Sequence, residues 1–243
     1  MQYYFLFFGL ILLCAVFSGW ASNKVKTTYR AYRSVGANSR MTGYDTAVRL
    51  LRANGVDDIR VERVRGELTD HYHPTKGLVN LSESTYGDDS IGSIAVAAHE
   101  IGHVLQKKKG YLPYKIRTAL VPVCNIGSRL AMPLVLLGFI LDLFVYTGQG
   151  SSLGYTLAMV GVAFYGLSTL FMLVTLPVEF DASRRAKKML LEQGILTEQE
   201  SDGAERVLSA AAMTYVASLA TSLVYFLRFM VWVLAMFGGR RRR

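Results

Sequence analysis

Residues 91–107 read IGSIAVAAHEIGHVLQK and follow Asp-Asp-Ser at positions 88–90, a helix-start signal. The apolar composition of this segment is typical of a buried helix. Residues four positions apart lie on one face of a helix, so His99 and His103 can present their imidazoles to a single ion. The segment therefore predicts a helix that supplies two ligands of a metal site.

Glu100 stands next to the first histidine, and its carboxylate can reach a water on the metal rather than the metal itself. This position suits a general base. Zinc lowers the pKa of such a water toward neutrality and polarises a carbonyl group, which is chemistry suited to peptide-bond hydrolysis. The alternative interpretation is a pair of structural histidines on a core helix.

A catalytic zinc needs a third protein ligand and an open position. No third histidine follows at the metzincin spacing, and the best candidate is Glu179, within LPVEFDAS at residues 176–183. A predicted membrane hairpin separates Glu179 from the two histidines, so two crossings return the chain to the same side of the bilayer. Pro177 suits the first turn of a helix, which would place Glu179 near its N-terminal end. A solvated acid at a helix start is the alternative.

Five further residues are candidates for the surroundings of the site. Asp181 or Arg184 could hold a histidine N–H or a carboxylate. His71 and His73 could line the substrate cleft or stabilise an oxyanion, with Tyr72 as an alternative donor. Histidines are also common in surface loops, and that interpretation stays open for both.

The polar region 22–115 has the pattern of a small α+β domain. Thr42 can cap a helix over 43–54, which glycine at position 55 can end. Residues 59–64 alternate with period two and residues 78–81 are again strand-like, which predicts a hairpin or a small sheet. The strand at 77–81 could pair with an extended substrate backbone.

The chain has 243 residues, of which 51% are apolar. Four stretches, about 3–21, 128–147, 153–177 and 210–237, are long enough to span a bilayer as helices. The first lacks a basic n-region and a good cleavage site, so it is predicted to be a retained anchor. The expected fold class is therefore a mostly α integral membrane protein with about four apolar helices and a small zincin-like α+β domain that carries the HExxH helix.

The formal net charge is +9, but the basic residues do not form a surface of the kind that recognises nucleic acid. The basic residues instead flank apolar segments: Lys24, Lys26, Arg30, Arg33, Arg184, Arg185, Lys187, Lys188 and Arg240 to Arg243. This pattern is typical of cytoplasmic membrane flanks. Two cysteines, Cys14 and Cys124, without CxxC spacing argue against a disulfide scaffold or a cysteine zinc site.

These patterns predict five segments along the chain. They are a transmembrane anchor at 1–21, a cytoplasmic-facing catalytic domain at 22–115, a transmembrane hairpin at 116–177, a helix supplying the third zinc ligand at 178–209, and a transmembrane or re-entrant helix with a basic tail at 210–243. The basic residues after the first span place the active site on the cytoplasmic side of a multi-pass protein. A single last crossing would put the basic tail outside, so the topology of that segment stays open.

Several motifs are similar to those of a known family. They are MTGY at 41–44, LTDHY at 68–72, VAAHEIGH at 96–103, ALVPV at 119–123, NIGS at 125–128 and LPVEFDASRRA at 176–186. With the N-terminal anchor, they resemble the bacterial membrane-bound neutral zinc metallopeptidases of the YugP type, a gluzincin-like HExxH group. The resemblance implies a bacterial membrane endopeptidase that binds Zn²⁺ through His99 and His103 and uses Glu100 as its catalytic acid and base.

The layout also resembles the wider group of HtpX and CAAX-processing membrane proteases, in which a hairpin separates HExxH from a glutamate ligand. In that group an aspartate usually follows the glutamate four residues later, whereas this chain has Ser183 there, with Asp181 as the nearest acid. His73 stands where the YugP-type family is expected to have aspartate.

Protein or peptide substrates and the lipid bilayer are the expected partners, nucleic acid is not, and a homo-oligomer stays open. The alternatives to a peptidase are an inactive zinc-binding membrane scaffold or regulator and a metal transporter. A transporter would place its metal ligands within the membrane spans, whereas His99 and His103 are predicted to lie outside them.

Overall fold

A computed structural model describes residues 2–144 and 153–238 of the chain. Within them the chain forms seven helices and three strands. The helices are α1 (Gln2–Arg33), α2 (Gly43–Ala53), α3 (Glu83–Tyr86), α4 (Ile91–Lys108), α5 (Leu112–Phe144), α6 (Leu153–Glu192) and α7 (Glu198–Gly238). The strands are β1 (Arg60–Val64), β2 (His71–His73) and β3 (Leu78–Ser82).

Helices α1, α5, α6 and α7 are long and apolar enough to cross a membrane, with mean hydropathies of 2.1, 1.7, 2.1 and 1.8 in their most apolar windows. Many of their large apolar side chains face outward, among them Phe5, Leu13 and Leu153. Such exposure is favourable in lipid and costly in water. The predicted class, a mostly helical membrane protein with four apolar helices and a small sheet, is confirmed. The predicted turn at 147–152 and the basic tail at 240–243 lie outside the described residues.

The described residues divide into two compact units. The helical unit contains those within Met1–Ser18, Ile116–Thr175 and Val216–Arg243. In it α5 and α6 approach closely at small residues, since a Cβ on Gly161 would lie only 2.6 Å from the carbonyl oxygen of Ala131. Such small-residue contacts are a common means by which membrane helices associate.

The α/β unit comprises Gly19–Lys115 and Leu176–Tyr215. Its sheet has the order β1-β3-β2, with β3 parallel to β1 and antiparallel to β2. The prediction of a small sheet is confirmed, but β1 and β3 do not form a hairpin, because the segment between them contributes β2 to the far side of β3. The prediction that residues 77–81 pair with a substrate is wrong, because β3 is the central strand and is paired on both sides.

Two helices of the α/β unit begin where their capping residues predict. Thr42 accepts a hydrogen bond from the Asp45 amide, and the Asp45 carboxylate accepts one from the Thr42 amide, which forms a capping box at the start of α2. The Ser90 side chain accepts a hydrogen bond from the amide of Ser93 and caps α4. The predicted helices over 43–54 and 91–107 are therefore confirmed within one residue.

Helix α6 continues through Pro177 without a break. The prediction that a helix starts at this proline is wrong, and Glu179 lies in the interior of α6 instead of near an N-terminus. A proline removes a single backbone hydrogen bond, which a long membrane helix tolerates. The segment 178–209 accordingly contains the end of α6 and the start of α7, and the first helix extends to Arg33, well beyond residue 21.

Candidate metal centre

Helices α4 and α6 approach one another closely at Gly102. A Cβ at this position would lie 2.6 Å from the carbonyl oxygen of Ala182 and 3.1 Å from its Cα. A side chain of any size would therefore push the two helices apart. Because Glu179 precedes Ala182 by three residues on α6, the glycine lets this glutamate reach the face of α4 that carries the histidines.

Three side chains converge where these two helices meet. The Nε2 atoms of His99 and His103 lie 3.3 Å and 3.5 Å from Oε2 of Glu179. The ligand atoms of all three residues lie within 4.8 Å of one another. Glu179 is 2% exposed and His103 is 9% exposed, so water does little to screen this cluster. The structure thus brings together the three residues that the sequence nominates as metal ligands.

The two separations that involve Glu179 are close to those between ligands of a zinc ion. Two ligand atoms bound about 2.1 Å from a tetrahedral ion lie about 3.4 Å apart. The two distances from Glu179 to the histidines, 3.3 Å and 3.5 Å, are close to this value. Two imidazoles and a carboxylate are also a donor set of catalytic zinc sites, in which a fourth position stays open. His99, His103 and Glu179 are therefore able to hold such an ion.

The Glu179 carboxylate also changes the protonation of its neighbour. Burial by itself lowers the pKa of His103, but the hydrogen bond and charge of Glu179, together with Glu100 and Gln106, outweigh burial and raise this pKa above its ordinary value. The negative charge that favours a proton on His103 equally favours a metal cation at the same position.

Gln106 contacts the second nitrogen of His103 and is absent from the sequence predictions. It is fully buried, and its Oε1 lies 3.0 Å from Nδ1 of His103. Its Nε2 donates to the carbonyl of Val178 at 2.7 Å and to Asp181 Oδ2 at 3.0 Å. Since the amide nitrogen of Gln106 donates in this way, Oε1 accepts a hydrogen bond from Nδ1–H of His103 and leaves Nε2 of His103 directed at Glu179. The signal in the sequence is a buried polar residue three positions after His103, on the same helix face.

Asp181 acts on the histidine through Gln106 and not directly. Besides accepting from Gln106, its carboxylate accepts from Arg184 and, at 2.6 Å, from Nε of Arg185. Arg184 is mostly exposed, whereas the Arg185 side chain is 24% exposed and its guanidinium lies 5.7 Å from the ring of Tyr111. The predicted neighbours Asp181 and Arg184 are thus in one network with Arg185, a residue that the sequence did not single out.

Ser183 contacts the other histidine. Its Oγ lies 3.2 Å from Nδ1 of His99. Ser183, four residues after Glu179 on α6, therefore provides a hydrogen-bonding partner for the ring. In each histidine, one ring nitrogen consequently contacts Glu179 and the other contacts a neutral polar side chain. These contacts fix the orientation of both rings.

Glu100 lies beside the cluster but is not one of its three members. It is 8% exposed and, with His99 and Glu179, lines the same cavity. A buried carboxylate in this position can take a proton from a molecule that occupies the open metal position.

His71, Tyr72 and His73 are not brought to the described metal cluster. The ring nitrogens of His71 lie 2.9 Å from the carbonyl of Thr69 and 2.9 Å from the amide nitrogen of Asn80. Both are thereby engaged on the sheet. The Tyr72 hydroxyl is buried with no hydrogen-bond partner among the described residues, and burial raises the pKa of Tyr72 to about 12. His73 accepts a 3.4 Å hydrogen bond from the amide of Lys76.

Comparison with known proteins identifies the class. Residues 7–234 match the family described as "Putative neutral zinc metallopeptidase", and the chain belongs to this family. It is 42% identical over 226 residues to the "Putative membrane protease YugP" of Bacillus subtilis (strain 168). The aligned region covers 93% of this chain and 96% of that relative. No solved structure matches the chain. The resemblance predicted from the sequence motifs is confirmed.

Proposed function

We propose that the chain is a zinc-dependent metalloendopeptidase of the HExxH type that cleaves membrane or membrane-proximal proteins. The observation that carries this proposal is the convergence of His99, His103 and Glu179 next to the buried Glu100. Family membership and the likeness to a membrane protease support the same chemistry. The four apolar helices support a substrate encountered at or near the bilayer.

His99, His103 and Glu179 would hold a zinc ion, which would lower the pKa of a water molecule and polarise the scissile carbonyl. The Glu100 carboxylate accepts a proton from the water while the oxygen of the water adds to the carbonyl carbon. Glu100 then delivers this proton to the amide nitrogen while the C–N bond breaks, so that the products are a new carboxyl terminus and a new amino terminus. Ser183 and Gln106 hold the two imidazoles in place throughout.

Peptide cleavage by the purified full-length chain tests this function directly. In detergent with one equivalent of zinc, the protein is expected to cut internal bonds of unfolded casein, with the cleavage sites read by mass spectrometry. Treatment with 1,10-phenanthroline should abolish cleavage and added zinc should restore it, because apo protein lacks the polarising ion. Zinc binding without any chelator-sensitive cleavage would contradict the proposal and favour the zinc-binding scaffold.

We further propose that the catalytic domain, residues 22–115 with 178–209, faces the cytoplasm. The basic residues that follow the first span, such as Lys24, Lys26 and Arg33, support this orientation. In a background without Cys14 and Cys124, Ser34→Cys should resist a membrane-impermeant maleimide in intact cells and react after permeabilisation. Ser151→Cys, in the predicted external turn, is the matched control and should react in intact cells. The reverse labelling pattern would mean that the catalytic domain faces the outside of the cell.

A further inference from the structure

A cavity of about 200 Å³ in the α/β unit adjoins the candidate metal centre. His99, Glu100, Glu179 and Ser183 form its polar side. Most of the remaining lining is apolar and comes from α1, α4 and α7. Among these apolar residues are Val25, Val96, Val207, Leu208, Ala211 and Ala212.

Two polar residues in the apolar part of the cavity wall have their polar atoms engaged elsewhere. The Asp70 carboxylate accepts hydrogen bonds from the amide and hydroxyl of Ser82, at 2.7 Å and 2.9 Å. The Tyr29 hydroxyl donates to the carbonyl of Ser84 at 3.3 Å. A ligand in this part of the cavity therefore meets mainly hydrocarbon, apart from the Tyr215 side chain, which also lines it.

We infer that this cavity is a substrate-binding subsite for one medium-sized apolar side chain flanking the scissile peptide bond. The inference rests on the proposed peptidase function. A carbonyl positioned for attack beside Glu100 and Glu179 has its neighbouring side chain within reach of the cavity, because these glutamates form part of the cavity wall. Binding there removes the apolar surface of such a side chain from water, which favours binding.

The size of the cavity and the small residues in its wall limit the occupant. An apolar cavity of about 150 Å³ accommodates benzene. A volume of about 200 Å³ therefore accepts a side chain such as leucine, methionine or phenylalanine. Ala211 and Ala212 leave this space open, while Leu208 restricts it. A charged side chain would lose its hydration here, and the apolar wall would offer it no polar partner in return.

Two substitutions that change the cavity in opposite directions test the subsite. Ala212→Leu fills it and should move the cleavage preference from leucine toward alanine and glycine. Leu208→Ala enlarges it and should move the preference toward phenylalanine. One methylene in an apolar pocket changes selectivity roughly 10- to 200-fold, so shifts of at least 10-fold are expected. Ser209→Leu, an exposed position of α7 outside the cavity lining, is the matched control with unchanged selectivity.

Binding of amino-acid hydroxamates gives a second measurement that needs no turnover. Calorimetry on the zinc-loaded full chain should show leucine hydroxamate binding at least 10-fold more tightly than glycine or aspartate hydroxamate. Ala212→Leu should remove this difference, and Leu208→Ala should favour phenylalanine hydroxamate. A misfolded variant would instead weaken all hydroxamates alike, and the preference of the unaltered chain remains a test in its own right.

The two measurements separate the subsite from the peptidase function. One outcome is that the hydroxamate preference changes as expected in Ala212→Leu and Leu208→Ala, while the chain cleaves no peptide. This outcome supports the subsite and refutes the proposed function. Peptide cleavage with one selectivity in all variants, or equal binding of leucine and glycine hydroxamates, overturns the subsite and leaves the function standing.

Discussion

Glu100→Gln is expected to lower kcat for peptide cleavage about 100- to 10,000-fold, the contribution typical of a general base. Glutamine has nearly the same shape as glutamate but cannot accept the proton of the attacking water. KM should change little, because the substrate contacts in the adjoining cavity stay intact. Initial rates on one fluorogenic peptide, with active protein quantified by bound zinc, measure the effect.

Zinc content separates a catalytic role of Glu100 from a ligand role. Glu100 is not a member of the three-residue cluster, so Glu100→Gln should retain about one zinc per chain. Glu198→Gln, at the exposed first turn of α7, is the matched control and should leave both zinc content and rate unchanged. A Glu100→Gln protein that keeps its kcat would rule out this residue as the base.

The local signals in the sequence were sufficient for the helix that carries the two histidines. Helix α4 could be predicted because Ser90 caps it and because its two histidines repeat at the helical spacing. The choice of Glu179 as a candidate rested on topology, since two predicted membrane crossings would return the chain to its starting side. The structure then places Glu179 3.3 Å from His99, a distance that no spacing rule supplies.

Other features depend on packing between distant segments and could not be derived from periodicity. Pro177 has the appearance of a helix start, yet α6 runs without a break from Leu153 to Glu192. The need for glycine at position 102 becomes clear only when the backbone of Ala182 is seen against it. The same holds for Gln106, whose partners Val178 and Asp181 lie on another helix.

The cavity is the least predictable part of the site. Its walls combine residues from α1, α4, α6 and α7, and the membrane spans predicted over 3–21 and 210–237 gave no sign that a single helix continues from each span into the α/β unit. The α/β unit in fact extends onto both helices, at Gly19–Arg33 of α1 and at Glu198–Tyr215 of α7. A helix that serves as an anchor along one part of its length can therefore line a binding site along another.

Loss of zinc affinity is the expected result of Gln106→Leu. The substitution removes the acceptor that holds the Nδ1 proton of His103, so the ring no longer favours the tautomer with Nε2 free for the metal. Substitutions of this kind reduce metal affinity about 10- to 100-fold. NMR of ¹⁵N-histidine should show Nδ1 of His103 protonated in the unaltered protein and a mixture of tautomers in the variant, a change that a general loss of stability would not produce.

Glu179→Ala is expected to lower zinc affinity by more than about 100-fold, a larger loss than in Gln106→Leu. The reason is that it removes a ligand of the ion and not a residue that supports a ligand. The dissociation constant is measured by competition with a fluorescent zinc chelator. Gln199→Leu, an exposed residue in the first turn of α7, is the control and should bind zinc as the unaltered chain does. Full zinc affinity in Glu179→Ala would exclude this carboxylate as a ligand, since two histidines on one helix would then suffice to hold the ion.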